Sequence, residues 1–257
     1  MDYQDTPSFY NNEEYFNNYL GCTSYYTALQ NVVSKIIGFV EPKNVLEMGS
    51  ALGTTTNLLA EQYTNVNFTG IDIRRDIVEE AIQLSKGRSN VHFLTADMCE
   101  YAKRNLYDYD LIFLLYSFHH ILDPLENKEI FLEDCFKNMK ANSYLLIAET
   151  FLPDGITVLK EDPSISKLFT YRSEEGYAST FWAALENISS DGISLAREVA
   201  NVSRSEEWQA GLNVNIRKDE YLIEFSWLIS QAEKHGFEVV IAEPVNSLME
   251  KAILLRR

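Results

Sequence analysis

The chain has 257 residues, 46% of them hydrophobic and 12% aromatic, which is typical of an ordered globular domain with a well-buried core. Its net charge of −16 argues against a nucleic-acid partner, because phosphate backbones are bound by clustered lysine and arginine side chains. The three cysteines are widely spaced and we find neither a signal peptide nor a membrane-spanning run, so we expect a soluble, cytoplasmic protein without a disulfide, metal or membrane partner.

Helical and strand patterns alternate in the first part of the chain. Apolar residues recur at helical spacing over 22–40, and Pro42 ends that helix. A first strand is predicted at 45–47, and a helix of about ten residues begins at Thr54. Further strands are predicted over 67–73, 91–96, 110–116 and 144–150, and further helices over 76–86, 99–105 and 128–140. This alternation predicts a parallel sheet with right-handed crossovers.

Residues 151–218 break the alternation. They hold scattered aromatic residues and two predicted helices, near 176–188 and 192–210, and are too long and apolar for a plain loop. An insertion after the fifth strand would lie at the carboxyl edge of the sheet, where α/β folds bind ligands. We interpret it as a cap over a substrate pocket; the alternative is an ornament packed on the edge of the sheet.

The end of the chain departs from the alternation in another way. A helix is predicted over 219–235, with Gly236 at its C-cap. Two strands then follow in succession, over 237–242 and 251–255. Consecutive strands at this point predict an antiparallel pair that closes the sheet.

The segment 45–56, Val-Leu-Glu-Met-Gly-Ser-Ala-Leu-Gly-Thr-Thr-Thr, is typical of a buried strand, a tight glycine turn and a helix start. Such a turn exposes backbone N–H groups at a helix N-terminus, where a polar ligand can approach closely. Glu47 before the turn and Asp72 at the end of the next strand suggest a site for an adenosine cofactor that lacks a pyrophosphate. A dinucleotide-binding GxGxxG motif would need glycine in place of Ala51 and Thr54.

Taken together, these features resemble the class I S-adenosylmethionine-dependent methyltransferases. The signature acidic-x-Gly-x-Gly-x-Gly is present over 47–53, with Ala51 in place of the middle glycine. The resemblance implies an α/β fold with a seven-stranded Rossmann-like sheet, a terminal antiparallel strand pair, helices on both faces and a helical cap insertion. The implied organisation is an N-terminal lid over 1–21, a methyltransferase core over 22–150 and 219–257, and a cap over 151–218.

The resemblance also implies contacts to S-adenosylmethionine. Glu47 would engage the amino group of the cofactor, and Asp72 would accept hydrogen bonds from both ribose hydroxyls. Asp97 would bind the adenine amino group. Ile73 would pack on the adenine, and Met98 would donate its backbone N–H to the ring. Each acidic residue could instead form a turn or cap a helix. The cofactor-binding residues implied are Glu47, Gly49, Ser50, Ala51, Gly53, Thr54, Asp72, Ile73, Asp97, Met98, Tyr116 and Ser117.

The segment after the fourth strand resembles the one that lies beside the transferable methyl group in this family. Methyl transfer requires alignment of the acceptor and exclusion of water, and a base only where the acceptor is protonated. The candidate catalytic residues are Tyr116, His119 and His120. Either histidine could act as general base or hydrogen-bond the acceptor; the alternative is that they cap the next helix or pack structurally.

Three residues are predicted to bind substrate. Glu149, at the end of the fifth strand, could bind a cationic acceptor or pair with a lysine at the surface. Tyr19 and Tyr26 belong to an N-terminal group of aromatic residues that could form a lid and hold a cationic amine by cation–π attraction. The alternative is that these aromatic residues are core residues of the first helix.

The sequence therefore predicts a methyltransferase that acts on an N or O atom of a small molecule, in specialised metabolism, as a monomer or homodimer. The alternative is a protein that keeps the fold and the cofactor but catalyses a different step, such as a cyclisation, or binds a partner, because fold does not fix function. Methylation of a protein is a third option and would call for an open groove.

Overall fold

The computed structural model of the chain describes residues 24–121, 125–151, 223–245 and 250–257. The predicted lid over 1–21 lies outside the described residues, as does the predicted cap apart from its first residue, Phe151. The two helices predicted near 176–188 and 192–210 therefore stay predictions.

Helices and strands alternate through the first part of the described chain, as predicted. The helices are α1 (Ser24–Val40), α2 (Thr54–Gln62), α3 (Arg75–Leu84), α4 (Met98–Ala102), α5 (Glu126–Asn138) and α6 (Phe225–Lys234). The strands are β1 (Asn44–Met48), β2 (Asn67–Asp72), β3 (Val91–Thr95), β4 (Leu111–Leu115), β5 (Tyr144–Thr150), β6 (Glu238–Pro244) and β7 (Glu250–Arg256). Within the described ranges, no helix is long and apolar enough to cross a membrane.

The seven strands form one sheet in the order β3-β2-β1-β4-β5-β7-β6. Strands β1 to β5 are parallel, and β7 lies antiparallel between β5 and β6. The predicted seven-stranded sheet with a terminal antiparallel pair is confirmed. Because β1 to β5 run in the same direction, the residues that follow them gather along one edge, and the candidate site is built there.

Successive residues of the central strands enter two different cores. On β4, Leu111, Phe113 and Leu115 belong to the core beneath α1, α2 and α3. Ile112 and Leu114 belong to the core on the opposite face, beneath α4, α5 and α6. All five are buried, which explains the continuous apolar run that predicted a central strand. Helices therefore cover both faces of the sheet, as predicted.

Two predicted helices have different bounds in the structure. Within the helix predicted over 219–235, α6 begins at Phe225, because Glu224 before it is extended (φ −71°, ψ 143°); residues 219–222 lie outside the described residues. The helix predicted over 99–105 ends at Ala102, and the chain turns there to bury Leu106. The helix predicted over 219–235 counted Ile223, a buried apolar residue that the chain reaches before α6 begins.

The place of β7 inside the sheet can be tested with a cavity mutation. Leu254 on β7 is 1% exposed, so Leu254→Ala should lower the free energy of unfolding by about 2–5 kcal/mol. The matched control is Leu94→Ala on β3, where the side chain is 46% exposed and the change should stay within about 0.5 kcal/mol. Denaturant titration measures both values, and equal stability of the two variants would contradict the position of β7.

Candidate active site

The glycine turn between β1 and α2 fits so closely against its surroundings that two of its residues have to be glycine. Gly49 (φ 78°) and Gly53 (φ 70°) both have the left-handed conformation that glycine adopts without strain. A Cβ on Gly49 would lie 2.4 Å from the Cβ of Ser117, and a Cβ on Gly53 would lie 2.2 Å from Cζ of Phe93. The turn therefore packs directly on the end of β4 and on a ring of β3.

Ala51, in the place of the middle glycine, is strained. Its φ of 45° is in the region that costs a residue with a Cβ roughly 1–2 kcal/mol. The backbone N–H of Ala51 donates to Oδ2 of Asp72 at 3.0 Å, and this hydrogen bond helps to hold the strained conformation. Strain of this kind is common where a backbone approaches a ligand.

Asp72 joins the glycine turn to the start of α3. Its Oδ1 accepts the backbone N–H of Arg74 at 2.9 Å, while Oδ2 accepts that of Ala51. Burial raises the pKa of Asp72 above its ordinary value, and the two backbone hydrogen bonds oppose that rise. Since a carboxylate has about four acceptor positions, both oxygens still have capacity for ligand hydroxyl groups.

Glu47 is a buried carboxyl group on β1. Its side chain lies beneath the turn, in a residue only 3% exposed, and accepts a hydrogen bond from the hydroxyl of Thr56. Burial raises the pKa of Glu47 from 4.5 to about 8. Thr56, in the first turn of α2, was not among the predicted site residues, whereas the predicted Thr54 is exposed at the start of the helix.

Ser50 has a hydroxyl group that the described residues leave unsatisfied. The residue is 5% exposed, and its Oγ is buried without a hydrogen-bond partner in the described part of the chain. A buried polar atom in this state is costly unless a ligand or water satisfies it. It lies in the same turn as Gly49.

The predicted adenine-binding residues lie at the ends of β2 and β3. Asp97 caps α4: its Oδ1 accepts the backbone N–H groups of Cys99 at 2.7 Å and of Glu100 at 3.2 Å. Asp97 therefore caps a helix, as the alternative interpretation expected, and its contact with an adenine stays a prediction. Ile73 is 37% exposed beside Asp72, and Met98 Cε lies 3.7 Å from the point where a Cβ on Gly49 would be.

The segment after β4 approaches the glycine turn from the other side. Tyr116 has a φ of 51°, and its backbone N–H donates to the carbonyl of Ala148 on β5 at 3.0 Å. Ser117 is buried, and its Oγ donates to the carbonyl of Met48 at 2.6 Å. These contacts fix the start of a single 3₁₀ turn, Phe118–His120, which carries both candidate histidines.

His119 and Glu149 form a hydrogen-bonded pair that the sequence did not predict. Nδ1 of His119 lies 2.9 Å from Oε2 of Glu149, and its backbone N–H donates to the same oxygen at 3.3 Å. Glu149 is 2% exposed and lies at the buried end of β5, beside the end of β4, which disfavours the alternative of pairing at the surface; its contact with a cationic acceptor stays a prediction. The His120 ring lies 4.1 Å from that of His119, centroid to centroid.

None of the three predicted substrate-binding residues is tested by these contacts. Tyr19 lies outside the described residues, and Tyr26 lies in α1 with a side chain whose placement is not described. Their role stays a prediction.

A family model described as a methyltransferase domain matches residues 40–175, just over half of the chain. No curated protein matches the sequence.

The fold is similar to solved structures of low sequence identity. Mitomycin 7-O-methyltransferase is 16% identical at a TM-score of 0.60, over 97% of this chain and 60% of that one. An O-methyltransferase family protein from Burkholderia thailandensis is 13% identical at a TM-score of 0.61, over 97% and 62%. Human N-acetylserotonin methyltransferase in complex with S-adenosylmethionine is 16% identical at 0.53, over 91% and 55%. The chain thus spans less than two thirds of each.

The buried state of Glu47 predicts a pH dependence of stability. Between pH 4.5 and 8 the folded protein retains a proton on Glu47 that the unfolded chain has lost. The contribution of Glu47 to the free energy of unfolding should therefore fall as the pH rises, by at most about 1.4 kcal/mol per pH unit. Glu47→Gln cannot titrate, so its stability relative to the parent should increase from pH 5 to pH 8 in denaturant titrations. The control is Glu80→Gln, which removes one exposed carboxylate from α3; parallel pH curves for the parent and Glu47→Gln would contradict the prediction.

Proposed function

The chain belongs to the class I S-adenosylmethionine-dependent methyltransferases, and we propose that it transfers a methyl group to an oxygen or nitrogen of a small molecule, with His119 as general base. The hydrogen bond between His119 and Glu149 is the observation that carries this proposal. The pair lies at the ends of β4 and β5, on the edge of the sheet where the glycine turn and Asp72 lie at the ends of β1 and β2, and this supports a base beside a cofactor site.

The cradle fits the cofactor of the family. S-adenosylmethionine, when bound, supplies an electrophilic methyl group on a sulfonium centre. The unsatisfied hydroxyl of Ser50 suits its polar amino-acid end, and Glu47 beneath the turn suits its amino group. Asp72, with acceptor capacity on both oxygens, suits the ribose hydroxyls. We assign adenine to the neighbourhood of Ile73 and Asp97.

Glu149 sets the protonation pattern of the base. A carboxylate only accepts hydrogen bonds, so in the neutral imidazole Nδ1 carries the hydrogen and Nε2 carries the lone pair. Nε2 of His119 then accepts the proton that the acceptor loses as its oxygen bonds to the methyl carbon. Glu149 also stabilises the imidazolium that results, as a buried carboxylate does in other His–carboxylate pairs.

A hydroxyl is the acceptor group that such a base suits best. General bases assist where the acceptor must lose a proton, and a hydroxyl at neutral pH still carries one. An oxygen acceptor agrees with the names of the similar structures, such as mitomycin 7-O-methyltransferase. The charge of −16 disfavours a nucleic acid, and we propose a small molecule of specialised metabolism as the acceptor.

Binding of the cofactor is the first test. Isothermal titration of the parent with S-adenosylmethionine and S-adenosylhomocysteine should give micromolar affinity. Asp72→Ala should lose that affinity, because it removes the proposed ribose acceptors and the hydrogen bond to Ala51. The control Asp76→Ala changes an exposed carboxylate of α3 and should leave the affinity within about threefold. No binding to the folded parent would overturn the proposal.

Mass spectrometry then separates methylation from the alternative reactions. With a panel of small hydroxy compounds and amines, an enzyme of the proposed kind gives products heavier by one methyl group, together with S-adenosylhomocysteine. A product of unchanged mass would instead indicate a rearrangement such as a cyclisation.

The proposed role of His119 predicts the kinetic effects of two substitutions. Once a substrate is found, His119→Gln should lower kcat/KM by about 10²–10⁴-fold, the usual contribution of a general base. Glu149→Gln should also lower kcat, because an amide can no longer fix the tautomer of His119. The control is His92→Gln, an exposed position on β3, which should keep the parent rate in steady-state kinetics. A His119→Gln enzyme with the parent rate would show that His119 is not the base.

A further inference from the structure

A buried lysine lies behind the 3₁₀ turn that carries His119. Lys128, in the first turn of α5, is 0% exposed. Its Nζ donates to the carbonyl of Phe118 at 2.8 Å and to that of Ile121 at 2.5 Å, and it lies 4.9 Å from the centroid of the Phe118 ring. The pattern of α5 gave no sign of this role, because a lysine near a helix start is ordinarily solvated.

The two carbonyl groups that Lys128 binds enclose the candidate base. Phe118 begins the turn and Ile121 follows it, so His119 and His120 lie between the two contacts. Both neighbours, Phe118 and Ile121, are themselves buried in the core. A single ammonium group therefore holds the turn from its core side, while Glu149 holds His119 from β5.

The cost of this arrangement indicates that the position of the turn matters. Removing an ammonium group from water is expensive even when hydrogen bonds replace the lost hydration. An apolar side chain of similar length would fill the same space without that cost. It would, however, remove the hydrogen bonds to the carbonyls of Phe118 and Ile121, through which this residue of α5 holds the 3₁₀ turn.

We propose that Lys128 is a positioning residue for the general base: it fixes the backbone of the 3₁₀ turn so that the imidazole of His119 meets Glu149. The proposal rests on the proposed function for its kinetic consequence, but the positioning itself can be measured in the protein without substrate. Both hydrogen bonds described for Lys128 go to the ends of the 3₁₀ turn and not to the glycine turn or Asp72, so we expect cofactor affinity to depend little on it.

Lys128→Met is the decisive variant, with Lys137→Met as its matched control on the same helix, where the side chain is 60% exposed. Nitrogen-15 NMR of the histidine side chains reports the proton on Nδ1 of His119, with the resonance assigned from His119→Gln. We expect Lys128→Met to lose the Nδ1–H signature of the parent and Lys137→Met to keep it. In kinetics, Lys128→Met should lower kcat by about 10²-fold, as for a misplaced catalytic group, with S-adenosylmethionine affinity within about threefold.

The outcomes separate this proposal from the proposed function. A parent that methylates no acceptor overturns the proposed function, and the NMR comparison still decides the role of Lys128. An unchanged His119 signature in Lys128→Met overturns the positioning role, as does an equal loss of cofactor affinity and kcat, which would mean general destabilisation. If Lys128→Met does not fold, Lys128→Gln, whose amide retains a donor for one carbonyl, takes its place with the same expected results.

Discussion

The close approach between Gly49 and Ser117 is the constraint on which the site depends. The distance of 2.4 Å that a Cβ on Gly49 would leave to Ser117 means that the ends of β1 and β4 meet without any side chain between them. The hydrogen bond from Ser117 to the carbonyl of Met48 fixes the contact. The start of the segment after β4, which leads into the 3₁₀ turn and both histidines, is therefore held against the glycine turn.

A second contact supports the turn from below. The ring of Phe93 on β3 occupies the space that Cβ atoms on Gly53 and on Gly70 would need, at 2.2 Å and 2.5 Å. Two glycines on different elements thus make room for one aromatic ring. The buried ring packs against the start of α2, where Thr56 donates its hydrogen bond to Glu47. The same packing therefore positions the apolar contact and this polar contact.

The sequence predicts most of the fold because the strands are buried on both faces and separated by clear breaks. Apolar runs such as the one in β4, the glycine turn and Pro42 are local signals, and they located these elements to within a few residues. The predicted helix over 219–235 included Ile223, which is buried but lies outside a helix, because burial alone does not distinguish a helical residue from a non-helical one. The predicted helix over 99–105 ran past Ala102, where α4 ends.

The site was less predictable, because its contacts join residues that are distant in the chain. Glu47, Asp72 and the glycines carry a recognisable pattern, and the structure gathers them at one edge. The pairing of His119 with Glu149 depends on β4 and β5 being neighbours, and no local spacing encodes that. Lys128 and Phe93 look ordinary in the sequence, since a lysine in a helix and an aromatic residue in a strand are both common.

The contact between Phe151 and Phe225 has a consequence for how the connection between β5 and α6 can vary in length. The two rings pack at 4.8 Å between centroids, so the chain leaves the sheet after β5 and returns to it at α6 from the same point. A segment whose ends already meet can be exchanged for one of another length at little entropic cost, about 0.6 kcal/mol for each doubling. Because these two rings hold the ends together, we expect the sheet and the His119–Glu149 pair to form with a connection of another length between Phe151 and Phe225.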